Sequence, residues 1–170
     1  MDEYLDLVNA LDEVIGKKLR SEIYSEGLAN FRVVNAFLVN SKGQLWIPRR
    51  SPNKRLFPRA LDMSMGGHVE SGEQYEQAFK RELAEELRID ADKIDWKLLG
   101  YLTPQVDSVS AFMKVYEIST DVTPQYNHHD FTESFWLFPA ELIQRIEAGE
   151  SAKSDLRILV QKFYMNNKNV

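Results

Sequence analysis

The chain contains no cysteine among its 170 residues. Disulfides, thiolate metal sites and cysteine nucleophiles are excluded together, so any chemistry rests on oxygen and nitrogen groups. It also lacks an apolar run near the ~18 residues that a membrane-spanning helix needs. Its first residues, MDEYLDLVNALDE, are acidic where a secretory signal would be basic and then apolar. Both absences lead to the expectation of a cytoplasmic protein without a membrane partner. Cations are the scarcer charge, 21 Lys and Arg against 26 Asp and Glu, for a net charge of −5. Tight binding to a long nucleic acid needs a basic stripe that neutralises many phosphates. That partner is not expected, whereas a small phosphorylated substrate, a nucleotide above all, is compatible with the charge. No repeat, low-complexity tract or Pro/Gly/Ser linker divides the chain. A hydrophobic fraction of 44% with 28% charged residues is that of a globular domain rather than a disordered segment. A single domain over residues 1–170, as monomer or homodimer, is the expectation.

What is present is a mixture of strand and helix periods. YLDLVN and VIGKKLRSE flank a short polar connection and read as an N-terminal β-hairpin within about residues 1–28. Phe31–Asn40 and Gln44–Arg50 are β-rich runs separated by Ser41-Lys42-Gly43, a hairpin signal. Residues 50–65 read as a basic loop entering a short strand near Leu61–Met65. From about Gly72 the period turns helical, with Tyr75, Phe79, Leu83 and Leu87 recurring every four residues. Trp96–Thr103 and Val109–Ser119 read as strands, residues 120–132 as loop, and Ser134–Phe138 as a last strand. Pro139 suits the first turn of a helix ending near Gly149, and Ser154 or Asp155 is placed to cap a final amphipathic helix. Strands that follow one another without helices exclude a simple βαβ repeat. They favour a mixed α/β fold, a mixed sheet with helices on its faces.

The segment GGHVESGEQYEQAFKRELAEEL, Gly66 to Leu87, carries most of the chemistry. Glu82, Glu85 and Glu86 stand at i, i+3 and i+4, within an arc of about 100° of helix surface. Leu83 and Leu87 point to the adjacent face, so the carboxylates lie along the seam between helix and core. Like charges at this spacing cost roughly 0.2–0.5 kcal/mol per pair, and carboxylates late in a helix oppose its dipole. Mg²⁺ or Mn²⁺ would relieve that repulsion, because both prefer carboxylate oxygens and keep positions open for water and phosphate. KRELAEEL alone is also ordinary composition for a solvated helix face. The preceding Gly66-Gly67, which lets the backbone approach an ion or phosphate closely, overturns that bland reading. Glu73 falls in the first turn of the expected helix, and Arg81 lies too far along it for an i,i+4 pair. A Glu73–Arg81 bond therefore has to cross the corner between loop and helix.

Gly67, five residues, Glu73, seven residues, then Arg81-Glu82-Leu83-Ala84-Glu85-Glu86 and Ile89 resemble the Nudix box. The family pattern is G-x5-E-x7-R-E-U-x-E-E-x-G-U with U aliphatic, here spanning residues 67–89. Arg88 stands in place of the second glycine. A left-handed non-glycine residue at that helix end costs about 1 kcal/mol, which shifts termination and leaves the carboxylates in place. The order of strands and helices also resembles the Nudix α/β/α sandwich. The resemblance implies that Glu82, Glu85 and Glu86 hold Mg²⁺ or Mn²⁺, with the Gly67 carbonyl a fourth ligand. It implies attack by water on a phosphorus of a diphosphate joined to another group. Arg81 with Glu73 would hold the carboxylates in place. The general base is Glu82 or, from just before the Ser134–Phe138 run, Glu133.

Arg49, Arg50, Lys54, Arg55 and Arg59 form a basic cluster in an otherwise acidic chain. Arg50 and Lys54 are the leading contacts to a diphosphate, with Arg55 and His68 as further substrate-binding candidates. Trp46, Phe57, Phe112 and Trp136 are available to stack on a base, although most such rings belong to a core. VVNAFLVNSKGQLWIPRRSPNKRLFP, the glycine-histidine pair and the N-terminal hairpin resemble a particular Nudix branch, the isopentenyl-diphosphate isomerases. That chemistry requires a cysteine just before the glycine-histidine pair, where Gly66 stands. The leading expectation is Mg²⁺-dependent hydrolysis of a diphosphate linkage in a nucleoside diphosphate or a derivative of one. The alternatives are an isomerase-like enzyme and a non-catalytic nucleotide-binding sensor.

Overall fold

The computed structural model describes residues 2–166. In chain order it runs β1 (Tyr4–Val8), β2 (Val14–Leu19), α1 (Arg20–Ser25), β3 (Arg32–Val39), β4 (Leu45–Arg50), β5 (Met65–His68) and α2 (Tyr75–Leu87). It continues through β6 (Trp96–Leu102), α3 (Pro104–Asp107), β7 (Phe112–Ser119), β8 (Phe131–Leu137), α4 (Pro139–Glu147) and α5 (Leu156–Val160), which passes into a π-helical turn, Gln161–Met165. The main sheet is ordered β6-β7-β3-β4-β8, with β5 also paired to β3. It is mixed: β3 and β7 run parallel in unbroken register from Arg32↔Phe112 to Val39↔Ser119, and the other pairs are antiparallel.

Alternation along β3 builds a core on each face of this sheet. Val34, Ala36 and Leu38 point to one side, where Phe79, Leu83 and Leu87 of α2 pack with Tyr116 and Ile118 of β7. Phe37 points to the other, with Ile47, Val115, Leu142 of α4 and Leu156 and Leu159 of α5. The apolar stripe expected from Tyr75 to Leu87 is thus the face by which α2 rests on the sheet. β1 and β2 form a separate two-stranded sheet, bridged to Glu70 through Leu5, and Leu5 and Ile23 bury against Phe31 and Ala111 to seat the N-terminal hairpin and α1. Complete burial of such an aliphatic side chain contributes roughly 1.5–3 kcal/mol.

Several boundaries differ from the expectation, each for a long-range reason. β3 and β4 share only the pair Val39↔Leu45, because β5 takes the place of β4 along β3, while β4 pairs with β8 on its other edge. The strand expected at Leu61–Met65 lies instead at Met65–His68, and Leu61 makes only isolated bridges to Arg49 and Ala152. Gly66 and Gly67 therefore sit inside a strand, opposite Asn35 and Val34, and neither has a positive φ. The VIGKKLRSE run ends as strand at Leu19 and turns helical at Arg20. Glu73 precedes α2 rather than occupying its first turn. Asp155 makes no side-chain cap; its buried carboxylate accepts from Ser110 N and Oγ at 3.1 and 2.5 Å. No described helix is long and apolar enough to cross a membrane.

Candidate active site

α2 supplies the acids. Its apolar stripe holds it on the sheet, which leaves Glu82 and Glu86 beside β5. Glu86 is only 9% exposed, and its Oε2 accepts the Gly66 N–H at 3.1 Å. Burial pushes its carboxyl up to about 8, with the nearby charges of Glu82 and Asp62 acting the same way and the Gly66 amide and Lys153 opposing them. The Glu82 side chain is 14% exposed, and burial pushes its carboxyl up to about 7 against the Arg81 hydrogen bond. Glu85 is exposed, with Oε2 3.6 Å from Arg81 Nη1.

Arg81 ties the loop to the helix as its spacing requires. Its Nε donates to Glu73 Oε1 and its Nη2 to Glu73 Oε2, both at 2.9 Å, a bidentate pair across the loop–helix corner. Nη2 also donates to the His68 carbonyl at 2.9 Å and Nη1 to Glu82 Oε1 at 2.8 Å. The Glu73 bond above all holds the guanidinium firmly charged, above the ordinary range for arginine. Gly67 is where β5 meets Glu82 most closely. A Cβ there would lie 2.0 Å from the Glu82 carboxyl carbon, so glycine serves close approach rather than an unusual backbone angle.

These groups open on a cavity of about 800 Å³. Gly67, His68, Arg81, Glu82, Glu85 and Glu86 line one part, and Arg50 and Lys54 line another. Arg55 is exposed and outside that lining, as is Glu133, whose carboxylate pairs with Arg49 at the β4–β8 edge. Glu73 is also outside the lining but reaches it through Arg81, so the structure separates Arg55 and Glu133 from the other candidates. His68 shares a 2.9 Å hydrogen bond between its Nε2 and the Tyr24 hydroxyl and stacks on Phe31. Burial, with Arg20, Lys153 and Arg81 nearby, lowers its pKa to about 3, so it is neutral near physiological pH. Of the four aromatic candidates only Phe57 lines the cavity; Trp46 and Phe112 are fully buried, and Trp136 packs on the α2-side core.

Other wall residues escaped the sequence reading. Arg20 and Tyr24 arrive with α1, and Lys153 comes from the segment between α4 and α5. Asn35 lines the cavity from the middle of β3, and Asp62 stands behind Arg50. Both carried a readable signal: Asn35 is the lone polar residue in VVNAFLV, and Asp62 the lone charge in ALDMSM. Nothing local marks Lys153 or Tyr24.

Among the described residues, no three acidic or histidine side chains are drawn together as a ready metal cage. The donor set still suits a hard divalent cation: the Glu82, Glu85 and Glu86 carboxylates and the Gly67 carbonyl are all oxygen groups at one end of the cavity. Glu86 is buried and Glu82 half-buried, and their charges repel each other, a cost that a cation would relieve.

Known proteins share this sequence and this fold. A family model described as the NUDIX domain matches residues 29–157, which leaves β1, β2 and α1 outside the match. An uncharacterised Nudix hydrolase of Nostoc sp. strain PCC 7120 is 65% identical over 96% of this chain and 97% of its own. A crystal structure of a Deinococcus radiodurans protein superposes with a TM-score of 0.91 at 52% identity, covering 95% of this chain and 99% of that one. An isopentenyl-diphosphate Δ-isomerase of Paenarthrobacter aurescens is 26% identical over 88% of this chain and 85% of its own.

Proposed function

The chain belongs to the Nudix hydrolase family, and from that premise we propose that it hydrolyses a diphosphate linkage in a nucleoside diphosphate or a derivative of one, with Mg²⁺ or Mn²⁺ as cofactor. The observation that carries this reading is the cavity itself: buried carboxylates of α2 at one end and Arg50 and Lys54 on its wall. Glu82, Glu85 and Glu86, with the Gly67 carbonyl, would hold the cation, which supplies charge neutralisation at the diphosphate. Glu82 is the general base. Arg81 occupies its Oε1 and so leaves Oε2 to take the proton of the attacking water. Glu73 acts through Arg81, fixing the guanidinium and with it the carboxylate. Arg50 and Lys54 take phosphate oxygens, and the Phe57 ring offers an apolar face to a base. Glu133, turned to Arg49 outside the cavity, takes no part.

The isomerase alternative meets a steric obstacle at position 66. A Cβ there would fall 2.6 Å from Asn35 Oδ1, so the side chain that such chemistry requires would first have to displace the Asn35 amide. The test is Mg²⁺-dependent turnover of nucleoside diphosphates, triphosphates, diphosphate sugars and dinucleotides, run beside Glu86→Gln and beside isopentenyl diphosphate. Release of a nucleoside monophosphate by the parent, with most of it lost in Glu86→Gln, is the expected result. Double-bond migration in isopentenyl diphosphate, or ligand binding without turnover of any panel member, would replace this reading.

A further inference from the structure

Asp62 is an acid in an unusual place. Its side chain is 3% exposed, yet it stands between two cations, with Oδ2 2.6 Å from Arg50 Nη1 and Oδ1 3.5 Å from Lys153 Nζ. Its Oδ1 also accepts the Met63 N–H at 2.8 Å. Asp62 itself does not line the cavity, whereas Arg50 and Lys153 both do. The Arg50 Nε is spent on the Leu56 carbonyl at 3.1 Å, which leaves Nη2 without a partner among the described residues.

The backbone fixes this trio as firmly as the side chains do. Asp62 N donates to the Pro48 carbonyl at 3.0 Å, Leu61 N to the Ser151 carbonyl at 2.8 Å, and Lys153 N to the Leu61 carbonyl at 2.8 Å. Leu61 bridges Arg49 on one side and Ala152 on the other. Three stretches far apart in sequence are thus stitched into a narrow ribbon with Asp62 at its centre. One cation would suffice to pair a buried carboxylate, and an ion pair withdrawn from water is a poor source of stability. The second cation leaves the trio with a net positive charge at the cavity wall. Lys153 lies near the carboxylate end: its Nζ is 3.5 Å from where a Cβ on Gly66 would be, and Gly66 N bonds Glu86.

We propose that Asp62 is a positioning residue that holds Arg50 and Lys153 as a two-cation grip for one phosphoryl group of the substrate, with Lys153 touching the phosphate directly. The grip deepens the diphosphate reading above and rests on it. It predicts a substrate whose phosphates span from the glutamates of α2 to the Asp62 ribbon. A planar guanidinium and an ammonium, each kept in place from behind, meet that group with little ordering left to do on binding.

The test uses methylenediphosphonate, which cannot be hydrolysed, as a binding probe in EDTA, beside steady-state turnover of the best nucleotide found. Asp62→Asn and Lys153→Gln are each expected to weaken probe binding by about tenfold or more and to raise KM more than they lower kcat. Lys153→Arg should restore most of the binding. The double variant should lose little beyond either single change, because both act on one grip. Should Asp62→Asn fail to fold, Lys153→Gln and Lys153→Arg decide the matter. Parental probe affinity in Lys153→Gln overturns the grip, as does a loss confined to melting temperature. If the parent turns over no diphosphate while these variants still lose the probe, the hydrolase reading fails and the grip stands.

Discussion

A Cβ at position 67 would lie 2.0 Å from the Glu82 carboxyl carbon and 2.5 Å from its Cγ. The obstructing atoms belong to a side chain, not to backbone, but one that the Arg81 hydrogen bond holds. Gly67→Ala is therefore expected to fold with a loss of about 1–3 kcal/mol, the Arg81 bond included, while Glu82 leaves the place proposed for it as base. Turnover measured beside a thermal melt checks this: activity falls much further than that loss of stability explains. Glu86→Gln poses the complementary case. Its carboxylate is buried within reach of the charges of Glu82 and Asp62, so the neutral amide removes a repulsion that the fold otherwise tolerates. Without divalent cations that variant is expected to be the more stable by about 1 kcal/mol, read from melts in EDTA. The number of glutamates was legible in sequence. Which of them are buried was not, since that depends on how closely β5 approaches the helix.

At the scale of elements, α2 shows how far local pattern reaches. The period of Tyr75, Phe79, Leu83 and Leu87 announced a helix and its buried face, and both are found. The helix ends at Arg88, which adopts φ 55° and ψ 32° while its N–H reaches the Ala84 carbonyl at 3.1 Å. A side chain in this left-handed geometry is strained, so Arg88→Gly should stabilise the protein by about 0.5–1 kcal/mol without altering turnover. Chemical denaturation and the turnover assay check the two halves of that statement. Strands were read less well, because a strand's identity depends on its partner. β5 contains the glycine pair that local rules assign to a loop, and only pairing with β3 makes it a strand. Likewise the turn at residues 41–43 announced a hairpin, which forms at Val39↔Leu45, but β5 takes the rest of that edge of β3.

Across the whole molecule, the site gathers what the chain scatters. α1 contributes Arg20 and Tyr24, β4 and the following loop Arg50 and Lys54, β5 and α2 the glutamate end, and the segment before α5 Lys153. The chain as a whole is acidic, so the cations on this wall stand out against their surroundings and would draw an anion inward. A divalent cation held as proposed would bind the folded site and not the unfolded chain, so Mg²⁺ is expected to raise the melting temperature of the parent, with the logarithm of its concentration once above Kd. The same titration on Glu86→Gln should give a much smaller rise, which ties the shift to this site rather than to general ionic strength.

Sequence alone determined the class of the protein and the centre of its chemistry. Missing cysteine, the mixed strand and helix periods and the spacing from Gly67 to Ile89 are local properties, and local properties survive without a fold. Tertiary structure decided the rest. It brought Arg81 to Glu73, turned Glu133 away toward Arg49, left Arg55 outside the cavity and placed Asp62 between Arg50 and Lys153. Those outcomes rest on pairings between distant segments, such as Leu61 with Ala152 and β3 with β7. Each of those pairings joins residues far apart in sequence, so no window of neighbouring residues encodes it.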